Sequence, residues 1–406
     1  MNIHTQGRHW LAAGEGQLAD MIRLRRAIHA DPEIGLQTPR TATRAREALD
    51  GLPLEFREGP STSGFIAILR GAHDGPTVLL RGDMDALPLH EDTGLAFASQ
   101  TAGVMHACGH DTHVAMLVGA ARALCARRET LRGTVLFMFQ PGEEGWHGAR
   151  YMLEDGLLDP LPQAAFALHI TPNVPTGVFT GRPGSLMAAS DRFVVHVTGR
   201  GGHASQPQEA VDPVPIACEI GTAIQAMVTR RIPAFDPVVI TVARITAGTT
   251  DNIIPETAEL EGTIRSLSES SRALARDGLR RLASAIAAAH LAEATVDIVP
   301  GFPLTVCDAG ATTLARVVAE DLFGQAAWQP MAHPMMSAED FSYVLQKIPG
   351  VMVFLGATPN GGDWRTCCPL HSNRIVLDEG VMARGVAMHC AFADRFLSCG
   401  FDVASM

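Results

Sequence analysis

Within the run His106-Ala-Cys-Gly-His-Asp-Thr-His113 stand three imidazoles, a thiol and a carboxylate. These are the side chains that hold zinc-like or manganese-like ions, and packing alone gives no reason for such density. Cys108 and His110 stand two apart on a glycine-containing loop ahead of a helical stretch that begins near Val114. Residues i and i+2 on an extended loop can approach one ion from the same side. A buried thiol and a helix-capping imidazole would also account for the pair taken alone. Further chemistry-bearing residues lie at Gln140-Pro-Gly-Glu-Glu-Gly145, Leu168-His169 and Leu370-His371. The adjacent Glu143 and Glu144 suit an acidic turn at a helix start, where the dipole favours anions. They also suit a division of labour: one carboxylate binds an ion while the other takes a proton from water that the ion acidifies towards a pKa of ~7. In Arg81-Gly-Asp-Met-Asp85, Asp85 can orient a ligand histidine or serve a structural turn. Asp111 is read as a cap of the following helix.

Positioning these groups falls to short apolar bursts. Residues 77–80, 134–139, 164–168 and 351–355 are continuous apolar strands, of the kind buried on both faces by helices. Helical spacing fills 18–50 up to the break at Pro32, and also 114–126 and 147–155. This rhythm predicts an α/β fold with a mostly parallel sheet. The Glu143-Glu144 pair, His169 and His371 all follow the ends of such strands, where open α/β sheets bind ligands. Near residue 190 the pattern changes to alternation, over 191–198, 238–245 and 259–265, with helices over 213–230 and 268–290 and a last strand at 295–299. The expected organisation is a catalytic domain in two segments, 1–187 and 302–406, around an inserted α+β domain at 188–301. Pro183-Gly184 and Gly301-Phe-Pro303 are the candidate hinges.

Composition narrows the partners. The 406 residues are 47% hydrophobic and 18% charged, a globular mix long enough for two domains. A net charge of −11 argues against nucleic-acid binding, which runs on clustered Lys and Arg. No apolar stretch is long enough to span a membrane and no secretory signal is visible, so a cytoplasmic protein with reduced, scattered cysteines is expected.

Six motifs then occur in order: Arg81-Gly-Asp-Met-Asp-Ala-Leu-Pro88, the run 106–113, Gln140-Pro-Gly-Glu-Glu-Gly145, Gly201-Gly-His-Ala-Ser205, Ser337-Ala-Glu-Asp-Phe341 and Leu370-His371. With these the chain closely resembles the metal-dependent amidohydrolases that include hippurate hydrolases, N-acyl-amino-acid aminoacylases and auxin-conjugate hydrolases, from about residue 18 to about 397. The resemblance implies two divalent ions, among zinc, manganese, nickel and cobalt, on Cys108, His110, Glu144, His169 and His371. It makes Cys108 the bridge and Glu143 the general base. It makes the inserted domain a lid that carries a dimer contact, so a homodimer or higher homo-oligomer is expected. His203 would reach the substrate carbonyl, Asn252 would make a second polar contact, and Arg265 would hold the substrate carboxylate. The implied reaction is hydrolysis of an N-acyl amino acid, hippurate-like or aliphatic. A dipeptidase or carboxypeptidase and a non-catalytic binding protein are the alternatives. Departures from the usual pattern are Trp146-His147 where small residues are common, Gln208 where many relatives have a histidine, the lack of the usual glycines in Thr249-Thr-Asp251, and the vicinal Cys367-Cys368.

Overall fold

The computed structural model describes residues 3–359 and 361–402. They fall into two compact units, one running to Gly184 and resuming over Val306–Ala332 and from Asp340 on, the other formed by Ser185–Thr305 with His333–Glu339. No helix among the described residues is long and apolar enough to cross a membrane.

In the first unit the opening helical stretch is two helices, α1 (Ile3–His29) and α2 (Pro39–Glu47). The break follows from sequence. Pro39 lacks an N–H and suits only the first turn of a helix. The Glu33 carboxylate completes that turn from outside, accepting from the N–H of Thr41 at 2.8 Å and of Arg40 at 3.2 Å. The strands are β1 (Glu55–Glu58), β2 (Phe65–Arg70), β3 (His73–Asp83), β4 (Arg132–Gln140), β5 (Ala164–Thr171), β6 (Phe179–Gly181), β7 (Trp328–Pro330) and β8 (Gly350–Gly356). They form one sheet in the order β1-β2-β4-β3-β5-β8-β6-β7. The four central strands, β4-β3-β5-β8, are parallel to one another. The mostly parallel expectation describes this centre. At the flanks β1, β2 and β6 also pair antiparallel, while β7 runs parallel to β6. β5 and β8 are buried at every position, as continuous apolar strands should be.

Helices cover these strands. α3 (His110–Cys125) and the C-terminal helix (Met382–Cys399) pack on the central strands, and α1 packs on both of them. α3 starts at its first histidine because Gly109 turns the chain there with φ 85°. A Cβ on Gly109 would come within 2.7 Å of Ile170, so no other residue fits without displacement.

The second unit is an antiparallel sheet in the order 238–247, 257–266, 189–198, 293–300, under the two helices Pro213–Arg231 and Glu269–Ala289. Phe193, Val195 and Leu260 from the strands meet Ile216, Ile220 and Leu279 from the helices in a core of its own. Its main range contains all of 188–301 and is joined by the short segment 333–339.

Candidate metal centre

The C-terminal ends of the parallel strands converge on one cluster. β5 carries His169, β4 leads into Glu143 and Glu144, β3 leads into Asp85, and the loop after β8 carries His371. The loop before α3 brings Cys108 and His110 to the same place. The Cys108 sulfur lies 3.5 Å from His169 Nε2. The donor atoms of Cys108, His110 and His169 lie within 4.8 Å of one another, and so do those of Cys108, Glu144 and His371. Cys108 is common to both groups.

Each imidazole is aimed by its other nitrogen, a recurrent device at metal sites. His110 Nδ1 donates to the Asp85 carbonyl at 2.8 Å, and His169 Nδ1 donates to the Ile170 carbonyl at 2.7 Å. Both rings therefore turn Nε2 into the cluster. His371 sits in the left-handed region at φ 66°, which costs a non-glycine residue energy. Its N–H holds that conformation by donating to the Ala107 carbonyl at 2.8 Å. His371 Nε2 then stands 3.2 Å from Glu144 Oε1.

The donor set fits a divalent cation. His110 Nε2 is buried without a hydrogen bond, 3.4 Å from Asp83 Oδ2, a state that neutral packing does not favour. Burial opposes charge on His110, but the Asp83 carboxylate and the Cys108 sulfur outweigh it and hold its pKa well above the usual imidazole range. Hydrogen bonding to Cys108 and Glu144 raises His371 to about 10. Burial, with His113 next, pushes His169 well below its ordinary value, which keeps a lone pair free. Burial raises the Cys108 thiol, and an ion bound there would take the place of its proton. The cluster offers soft and borderline donors to a cation.

The remaining members of the 106–113 run have other work. His113 is satisfied at both nitrogens: Nδ1 donates to Asp83 Oδ1 at 2.5 Å, and Nε2 accepts the Ile170 N–H at 2.9 Å. Asp111 does not cap α3, whose N-cap is Gly109. Its carboxylate instead takes Arg25 Nε at 2.7 Å and His29 Nδ1 at 2.8 Å, because a buried charge demands partners that a helix end alone does not supply. His106 is buried with neither ring nitrogen hydrogen-bonded, and burial pushes its pKa down to about 3.

The sequence model of peptidase family M20/M25/M40 matches residues 79–395. The chain is 39% identical to thermostable carboxypeptidase 1 of Saccharolobus solfataricus, over 93% of its own length and 95% of the relative's. It is 38% identical to N-acetylcysteine deacetylase of Bacillus subtilis, over 88% and 92%. A Bacillus subtilis structure described as a dinuclear metal binding peptidase from the M20 family superposes with a TM-score of 0.80 at 33% identity, over 95% of this chain and 99% of that one. The chain belongs to the M20 family. It is a metal-dependent hydrolase, which sets aside the non-catalytic binding protein.

In this M20 hydrolase the carboxylate pair is gripped by Asp85, whose oxygens accept the N–H of Glu143 at 2.9 Å and of Glu144 at 3.0 Å. His110 Nδ1 meets Asp85 at its backbone carbonyl with the carboxylate Oδ1 at 3.5 Å, and the same carboxylate holds the Glu143-Glu144 turn. A buried network that motif reading left without roles braces the same loop. Gln140 Nε2 and Arg81 Nη2 both donate to Asp340 Oδ1, at 2.7 and 3.2 Å, and Arg81 Nη1 also pairs with Asp83 at 2.5 Å. The signal was present in sequence, since Gln140 and Asp340 stand inside two of the six motifs.

In the second unit His203 and Ile253 face each other on a short antiparallel ladder, and the Asn252 carbonyl accepts the Ala204 N–H at 3.1 Å, so His203 and Asn252 are neighbours. His203 is exposed, and its Nδ1 accepts the Ser205 N–H at 3.1 Å. A neutral His203 therefore carries its proton on Nε2, outward as a donor. Arg265 lies near the end of its strand, half-buried, with no hydrogen-bonded or ion-paired partner among the described residues. Burial lowers its pKa while the nearby Asp191 carboxylate opposes that shift.

Proposed function

We propose that this hydrolase cleaves the amide of N-acyl-L-amino acids to a carboxylic acid and a free amino acid, with Cys108, His110, Glu144, His169 and His371 holding two divalent ions and Glu143 as general base. Bound there, the ions supply Lewis acidity towards the carbonyl oxygen and towards water. The observation that carries this reading is the way Asp85 splits the carboxylate pair. Glu144 offers an oxygen to the group of Cys108 and His371, while Glu143, which groups with His110 and Glu144 and also with Glu339 and Asp340, stays outside both groups that contain Cys108. Glu143 takes a proton as the water oxygen bonds to the carbonyl carbon, and returns it to the nitrogen as the C–N bond breaks. His203 Nε2–H donates to the carbonyl oxygen as negative charge gathers there. Asn252 adds a second polar contact, and Arg265 pairs with the substrate carboxylate. A homodimer or higher homo-oligomer belongs to the same proposal. The likeness to a carboxypeptidase supports a second reading, a peptidase acting on substrates with a free amine.

The test is Glu143→Ala with metal analysis on the same sample. Both ions should remain while turnover on N-acyl amino acids falls by about 10²–10⁴. Full activity in that variant excludes the mechanism. Parallel assay of N-acyl amino acids and free-amine dipeptides separates the two substrate readings.

A further inference from the structure

We propose that the vicinal pair Cys367-Cys368 is a site of thiol–disulfide exchange with low-molecular-weight disulfides, and that joining the two sulfurs withdraws His371 from the metal cluster. The withdrawal rests on the ligand role proposed above for His371. The pair stands apart from the other cysteines. Cys108, Cys125, Cys307 and Cys390 are buried, and Cys218 and Cys399 have no thiol next to them in the chain. Cys367 and Cys368 are adjacent, both are partly exposed, and the hydrolysis uses neither.

Cys367 is also a strut. Its N–H donates to the Asp363 carbonyl at 3.0 Å, and its thiol donates to the Pro172 carbonyl, with Sγ at 3.0 Å. Asn173 Nδ2 donates to the Trp364 carbonyl at 3.3 Å and reaches Cys367 Sγ at 3.8 Å. These contacts fasten the turn at 363–367 to the chain leaving β5. His169 stands three residues before Pro172, and His371 three residues after Cys368. The thiol pair therefore joins the approaches to two residues of the cluster. The Pro172 carbonyl also accepts the buried Thr358 hydroxyl at 2.9 Å, so it stays satisfied when the Cys367 thiol leaves.

Exchange takes two displacements. Burial raises the Cys367 thiol, whose proton is held towards Pro172, so Cys368 attacks first. Its sulfur gives a proton to solvent, bonds to one sulfur of R–S–S–R and expels the other as RS⁻, which takes up a proton. Cys367 then leaves the Pro172 carbonyl, loses its proton and displaces the second RS⁻ from Cys368. The pair gives up two electrons and two protons, and the reagent becomes two RSH. Adjacent Cα atoms lie about 3.8 Å apart, short of the roughly 4.4–6.8 Å usual across a disulfide, so the closed ring distorts the backbone and reopens readily with thiols. Pro369 fixes its own φ and restricts Cys368, so this segment passes the distortion on rather than absorbing it. His371 receives it. Its left-handed backbone, at φ 66°, is held by the hydrogen bond to the Ala107 carbonyl, and once that is drawn off the residue relaxes and its ring leaves Glu144.

The experiment treats the metal-loaded protein, carrying Cys218→Ser to remove the exposed thiol, with glutathione disulfide. Bound metal is measured after desalting, and free thiols are blocked before a tryptic digest without reductant. The peptide 366–374, between Arg365 and Arg374, holds both sulfurs. It should be lighter by two hydrogen atoms, and bound metal should fall by half. Dithiothreitol and fresh metal should restore both. Cys367→Ser, whose hydroxyl can still donate to Pro172, should stop at a glutathione adduct on Cys368 and keep its metal. Cys368→Ser should show neither change. A wild-type pair that stays open, or a closed ring with metal content unchanged, overturns the proposal. If His371→Ala binds as much metal as the parent, the ligand reading fails, and the peptide mass then decides the exchange site alone: a closed ring sustains it, and free thiols overturn it.

Discussion

His110 and His113 are on the same first turns of one helix, yet only His110 keeps a ring nitrogen for an ion. His113 gives both nitrogens to Asp83 and Ile170, while His110 Nε2 has no hydrogen bond. Replacing each by alanine should therefore fail in different ways. His110→Ala should lose metal, measured as bound equivalents, because a direct donor is gone. His113→Ala should keep near-stoichiometric metal at saturation with affinity reduced by about 10–100-fold. It should also lose about 1–3 kcal/mol in denaturant unfolding from the stranded Asp83 and Ile170 groups. Equal metal content in the two variants would contradict the assignment. Spacing alone did not separate these histidines. The ordered motifs pointed to Cys108 and His110, but the partner that occupies His113 Nε2 lies 57 residues further on. The same limit explains the misread Asp111, whose Arg25 partner is 86 residues away. Local pattern registers which groups are chemical, and long-range hydrogen bonds decide which of them are free.

Elements carry these residues to their places by strand ends, and that much was legible. The apolar bursts at 77–80, 134–139, 164–168 and 351–355 are β3, β4, β5 and β8, and their parallel pairing collects the site at one edge. The flanks were less legible because an edge strand is set by its neighbour rather than by its own pattern. What locks α1 to α3 was also invisible: a buried cluster of Arg25, His29, Glu91 and Asp111. Burial works against charge on His29, but the Asp111 carboxylate and the hydrogen bonds to Asp111 and Glu91 raise it to about 9. Its folded pKa lies above the unfolded value of about 6.5, so its stabilisation is complete below that and fades as pH rises through about 9. Glu91 behaves oppositely. Burial would raise it, yet His29 and the Ser99 N–H depress it to about 2, so its share is present above about 4.5 and fades as pH falls through about 2. The difference in unfolding free energy between wild type and His29→Gln should be largest near pH 6 and shrink by roughly 1.4 kcal/mol or more at pH 9. A difference that stays constant over that range would show that the pairing is not ionic.

At the scale of the molecule, two cores exist and only one contains the donor set. Cys108, His110, Glu144, His169 and His371 all belong to the first unit, whereas Phe193, Ile216, Leu260 and Leu279 pack within the second. A ligand stabilises whatever folded part binds it, by about 2.7 kcal/mol at a hundredfold excess over Kd. Removing the metal with a chelator should therefore lower the unfolding temperature of the first unit and leave that of the second where it was. Chains with more than one core need not unfold in a single step, so the two responses are separable. Scanning calorimetry with and without chelator reads the shift. Hydrogen exchange assigns it, with faster exchange expected over 79–171 and unchanged exchange over 189–300. The apolar core of the second unit is complete without any donor atom, which is why its protection should not follow the metal. A loss of protection of equal size over both ranges would mean that the second unit's stability depends on the metal-bound state of the first.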